Sequence, residues 1–122
     1  MREREDTMGE ITVSATFPNI LKENLEAFKK HADEAIAVVR GEPGTLQYDW
    51  YLSEDRTRCV VKERYGDCEG LLAHLVNVGP LLGPLAALGG GLDLQVFGDL
   101  SPQAREAVGS GGAALYAFLA GK

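Results

Sequence analysis

The sequence predicts an α+β domain in which four antiparallel strands carry two helices on one face. Residues 11–17, 46–52 and 58–65 alternate apolar and polar side chains, the period of half-buried strands. Residues 21–39, and the run that follows Asp67, step apolar positions by three or four, the period of amphipathic helices. With a last strand over 92–97, the order becomes strand, helix, strand, strand, helix, strand. That is the split βαβ pattern.

Each element carries its own signals. The first strand ends at Pro18-Asn19. Leu21, Leu25, Phe28, Ala32, Ile36 and Val39 form the stripe of the first helix, which Gly41 and Pro43 stop. The second strand sets Leu46, Tyr48, Trp50 and Leu52 on one face, and a polar turn over 53–57 returns the chain. The third sets Cys59, Val61, Glu63 and Tyr65 together, so a glutamate stands among inward apolar positions and needs a partner there. Asp67 caps the second helix, whose stripe is Leu71, Leu75, Val78 and Leu82, with His74 leaning toward it. That run is nearly uncharged over 71–92 and about as long as a membrane span. It holds Pro80, Pro84, His74 and Asn77 and lacks flanking Lys or Arg, so we read it as a core helix breaking near Gly79-Pro80. Ser101-Pro102 starts a third helix, and a final apolar piece over 113–120 follows Gly109–Gly112. Residues 10–100 are expected to form the main domain and 101–122 a C-terminal helical extension.

Composition limits the partners. A chain of 122 residues builds one domain, and a net charge of −6 leaves neither a basic footprint for nucleic acid nor a handle for an anionic membrane. The charged stretch over 1–9 is no signal peptide. Cys59 and Cys68 match no zinc or CxxC spacing and are read as reduced thiols of a cytoplasmic protein. Two histidines without an HxxxH motif or carboxylate cluster predict no metal site. The strands show apolar residues on both faces, which predicts a homodimer through the sheet face opposite the helices.

The segment from Glu42 to His74 concentrates the chemistry. Glu42-Pro43-Gly44 follows the first helix, Tyr48 lies in the second strand, and Glu63-x-Tyr65 closes the third. Asp67 and His74 lie in the next helix. In that order and spacing, over about residues 10–100, the chain resembles the antibiotic biosynthesis monooxygenase family, which includes quinol monooxygenase-like proteins. It departs at Tyr65, where many members carry Trp, and in the stretch over 79–91 and the tail beyond Asp99. The resemblance implies a dimeric ferredoxin-like α+β barrel. It also implies oxidation of a small aromatic quinol or phenol by molecular oxygen, with no cofactor.

His74 and Tyr65 are then the candidate catalytic residues, and Tyr48, Trp50, Glu63 and Asn77 the candidate substrate-binding ones. Each has a plainer alternative. His74 is either a proton acceptor for the substrate or a helix histidine satisfied by a backbone carbonyl or by Glu63. Tyr48, Trp50 and Tyr65 are either an aromatic wall or simple core. Glu63 either orients His74 or pairs with Arg64 or Lys62, and Asn77 either meets a ligand oxygen or sits at the surface. Two rival functions follow: a non-catalytic ligand-binding or dimerisation module on this fold, and a haem-binding or haem-degrading protein using His74, Asn77 and Trp50. An interior pocket of a few hundred cubic ångströms favours the enzyme, whereas a filled interior favours the module.

Overall fold

The computed structural model describes residues 9–122; the charged leader read over 1–9 lies, but for Gly9, outside them. The chain runs β1 (Ile11–Phe17), α1 (Leu25–Val39), β2 (Thr45–Leu52), β3 (Cys59–Tyr65), α2 (Cys68–Gly89), β4 (Asp93–Phe97), α3 (Pro102–Gly109) and β5 (Ala114–Tyr116). A single 3₁₀ turn, Lys22–Asn24, leads into α1. The sheet is open, in the order β2-β3-β1-β4-β5. All neighbours are antiparallel except β4 and β5. This is the expected ferredoxin-like arrangement, widened by one strand.

Alternation places the core. Ile11, Val13, Ala15 and Phe17 of β1 and Cys59, Val61, Glu63 and Tyr65 of β3 are all buried beneath the helices. Phe28, Ala32, Ala35 and Val39 of α1 face them, as do Leu71, His74, Val78 and Leu85 of α2. Around Phe17 these make one apolar cluster, with Phe28, Trp50 and Leu85. A second, around Tyr65, takes in Leu71, Val96, Ala104 and Val108. The opposite face is more polar than expected. It carries Thr12, Ser14, Lys62, Arg64 and Gln95, with Tyr51, Phe97 and Tyr116 as its large apolar side chains.

Two elements differ from the sequence reading. Helix α2 does not break at Gly79-Pro80 but continues through Pro80 and Pro84 to Gly89. Both prolines are on the exposed side with Val76, so the carbonyls they leave unbonded, four residues back, can be met by water. Gly90, at φ 77°, then takes the left-handed cap. At 22 residues and mean hydropathy 1.6, α2 is the one described helix long and apolar enough to cross a membrane, yet its stripe packs on the sheet.

The second difference is at the C-terminus. Residues 114–116 form β5, not helix, with Val96 opposite Leu115 and Phe97 stacked on Tyr116 at 5.0 Å. The glycines before it reverse the chain, Gly112 at φ 78°, and bring this piece back along β4. Helix α3 begins as expected, with the Ser101 hydroxyl accepting from Ala104 N at 3.2 Å.

Candidate functional site

One backbone contact assembles the site. A Cβ on Gly44 would stand 2.8 Å from the Cα of Gly70, and a Cβ on Gly70 would stand 2.8 Å from the carbonyl oxygen of Gly44. Only two glycines let the turn before β2 rest directly on the first turn of α2. Asp67 fixes that turn, accepting from Gly70 N at 2.8 Å. Pro43-Gly44 thus carries Glu42 over the face of α2 that presents His74 and, one turn on, Asn77.

Glu42 is buried and meets three donors. Thr45 Oγ1 donates to its Oε1 at 2.7 Å, and Asn77 Nδ2 to its Oε2 at 2.9 Å. His74 Nδ1 lies 3.0 Å from Oε1. Burial works to raise the Glu42 carboxyl, but the hydrogen bonds from Thr45, Asn77 and His74 outweigh it and hold it below the usual carboxylate range. An anionic carboxylate only accepts, so Nδ1 of His74 carries the proton and donates. Burial lowers the His74 pKa although Glu42 opposes it, so the ring is neutral near pH 7. Its Nε2 is therefore left with a free lone pair.

Glu63 faces that nitrogen from the sheet. Its Oε1 is 3.7 Å from His74 Nε2, beyond hydrogen-bond reach, and accepts from the Tyr65 hydroxyl at 2.5 Å. Burial pushes the Glu63 carboxyl up to about 7, helped by the charge on Glu42 and opposed by the Tyr65 hydroxyl. The alternative pairing with Lys62 or Arg64 is absent among the described residues: both belong to the other face, and Arg64 meets Glu10 at 3.4 Å. A carboxylate whose anion is favoured (Glu42) and a carboxyl whose proton is favoured (Glu63) thus flank one neutral imidazole.

Aromatic rings enclose it. The Tyr48 and Tyr65 rings each lie 5.1 Å from His74, and Trp50 lies 5.7 Å from Tyr48 and stacks on Phe17 at 5.9 Å. Burial raises both tyrosine hydroxyls well above their ordinary range, so neither ionises near neutrality. Trp50 Nε1 is buried and makes no hydrogen bond of good geometry among the described residues, although it lies close enough to the Tyr48 hydroxyl to counter slightly the rise that burial causes there. Four of the other five sequence candidates, Tyr48, Glu63, Tyr65 and Asn77, therefore surround His74 or its carboxyl partners, and Trp50 reaches it through Tyr48. Asn77 is directed at Glu42. Glu42 itself was read only as part of a turn, although it makes the closest polar contact to His74.

The interior is nearly filled. Between sheet and helices lies a cavity of about 30 Å³, lined by Tyr48, Trp50, Glu63 and His74 together with apolar side chains. Tyr48 also lines an open surface groove with Ile36, Val39, Arg40, Glu42 and Thr45, so this residue is common to groove and cavity. His74, Asn77 and Trp50 do not frame a haem-sized space. Nδ1 of His74 and the Asn77 amide are both spent on Glu42, and the cavity is far too small. Among the described residues no group of three or more His, Cys, Asp or Glu is placed to hold a metal ion. Cys59 and Cys68 are unbonded to each other, one starting β3 and the other α2.

Comparison with known proteins accords with this architecture. The family profile described as antibiotic biosynthesis monooxygenase matches residues 11–77. No curated protein sequence matches the chain significantly. Among solved structures, MupZ from Pseudomonas fluorescens superposes with a TM-score of 0.73 at 23% identity, over 93% of this chain and 92% of that one. A candidate antibiotic biosynthesis monooxygenase from Caulobacter crescentus gives 0.62 at 25% identity, over 77% and 92%. A protein from Mycobacterium tuberculosis gives 0.61 at 26% identity, over 75% and 96%.

Proposed function

The chain belongs to the antibiotic biosynthesis monooxygenase family, and on that premise we propose that it oxidises a small aromatic quinol or phenol with molecular oxygen, without a cofactor. The observation that carries this reading is the hydrogen bond from His74 Nδ1 to Glu42, which leaves Nε2 as a base beside a small, mainly apolar space.

The chemistry runs through three groups. Nε2 of His74 takes the phenolic proton, and the anionic Glu42 stabilises the imidazolium that forms. The resulting phenolate is electron-rich and supplies electrons to oxygen. In a monooxygenation one oxygen atom enters the ring system, and the other leaves as water with two hydrogens taken from the substrate. Glu63, whose carboxyl is pushed up to about 7, is in its protonated form the donor to the oxygen being reduced. Tyr65 positions Glu63 through its hydroxyl, and Asn77 positions Glu42. Tyr48 and Trp50 give the apolar wall that excludes water.

An aromatic substrate does not fit a cavity of about 30 Å³. It reaches His74 from the surface groove, with the Tyr48 ring turning aside so that groove and cavity join. A cytoplasmic homodimer is part of this proposal, its contact face the side of the sheet that carries Tyr51, Phe97 and Tyr116.

The test is oxygen consumption with a panel of hydroquinones and naphthols, comparing the native chain with His74→Ala. The reading requires turnover of at least one compound and its loss in the variant. Turnover of none, or equal rates, rejects it. The small cavity favours one second reading, a non-catalytic module that binds such compounds. Saturable binding by calorimetry without oxygen consumption is its signature.

A further inference from the structure

The cavity of about 30 Å³ beside His74 is too small for the organic substrate but large enough for something. One water needs about 10–15 Å³ measured in this way, so the space admits one or two waters or a single diatomic molecule. Its walls are mainly hydrocarbon, from Val13, Ala15, Val61, Leu94 and Val96. Few polar atoms there are free. His74 Nδ1 is engaged by Glu42 and one Glu63 oxygen by Tyr65, which leaves His74 Nε2 and the rest of the Glu63 carboxyl. The Tyr48 ring stands edge-on to both Trp50 and His74. A buried water makes about three hydrogen bonds, whereas small apolar cavities stay dry and take up xenon.

We propose that this cavity is the dioxygen site of the protein. Apolar walls dissolve the uncharged molecule, and His74 Nε2 and the Glu63 carboxyl, 3.7 Å apart at the cavity wall, face the charge that develops as it is reduced. Oxygen waits there with its electrons still to come from the phenolate, which arrives past Tyr48. The proposal rests on the monooxygenation reading above, and it adds a place for the second substrate.

Xenon is the probe, because it takes apolar gas cavities and is inert. Crystals of the native chain under xenon pressure should show one xenon atom within the ring of Val13, Ala15, Val61 and Trp50. Ala15→Val, which adds two methyl groups inside the cavity, should abolish it, and Val61→Ile serves if that variant does not fold. The same variant should raise KM for oxygen by about fivefold or more and leave KM for the organic substrate within about twofold. A cavity filled by an ordered water that xenon does not displace overturns the proposal, and so does an unchanged KM for oxygen. Xenon bound in a protein that consumes no oxygen with any compound rejects the oxidation reading alone and leaves the gas site in place.

Discussion

His74 and Glu42, thirty-two residues apart, meet at 3.0 Å because two glycines, Gly44 and Gly70, let a turn rest on a helix backbone. The pair is a buried acid and base in which the carboxylate fixes the tautomer of the imidazole. The Glu63 carboxyl on the far side is pushed up to about 7 and Glu42 is held low, so the two carboxyls are separated by environment, not by residue type.

Replacing the carboxylate by an amide tests that division. Glu42→Gln keeps volume and shape but cannot accept from Thr45, Asn77 and His74 as an anion does. Steady-state rates on any compound the native chain turns over should fall by about 10²-fold or more, with little change in KM. Circular dichroism should stay native.

Glu63 sets a pH dependence of stability. In the folded chain its carboxyl holds a proton up to about pH 7, whereas the unfolded chain releases it near the ordinary 4.5. Between those values the unfolded state binds fewer protons, so this residue makes stability fall as pH rises. The loss is on the order of 3 kcal/mol, absent below pH 4.5 and complete above pH 7. Glu63→Gln should remove it. Denaturant curves of variant and native chain, measured at pH 4.5 and pH 8, should diverge in favour of the variant at the higher pH; parallel behaviour contradicts the assignment.

The glycine contact sets a second stability test. Alanine ordinarily stabilises a helix interior by about 1 kcal/mol over glycine. Gly70→Ala should do the reverse here, because its methyl group would meet the Gly44 carbonyl oxygen at 2.8 Å and backbone cannot yield as a side chain does. The expected loss is about 2 kcal/mol by urea unfolding. The His74 environment should shift with it.

Most of the fold was legible because its strands and helices bury one face each, and a buried face writes its period into the chain. β1 and β3 are clear alternations, and Asp67 and Ser101 mark helix starts by the hydrogen bonds they accept. β5 was hidden because residues 113–120 are apolar on every side and carry no period, so only its pairing with β4 makes it a strand. The run of α2 through Pro80 and Pro84 was hidden for another reason. Proline forbids a hydrogen bond but not an exposed helix, and exposure is a tertiary property. In the site, Glu63 drew notice as a charge among inward residues. Glu42 did not, since it lies outside any periodic element and its burial depends on the meeting of Gly44 with Gly70.

Tyr48 lines both the groove and the cavity, and the proposed route to His74 passes its ring. Tyr48→Ala should cost about 3 kcal/mol of stability. The same change should raise kcat/KM for the bulkier naphthols relative to the smallest hydroquinones, in parallel assays of oxygen uptake. Equal effects across the panel would place the substrate's path elsewhere.

The central claim is that Glu42 holds His74 neutral with its proton on Nδ1, so that Nε2 is the base. Nitrogen-15 NMR of the imidazole reads this directly, since the protonated and unprotonated ring nitrogens resonate far apart. At pH 7 the native chain should show His74 as the Nδ1–H tautomer, and Glu42→Gln should shift the proton toward Nε2. A native His74 protonated on Nε2, or charged on both nitrogens at pH 7, would contradict the account.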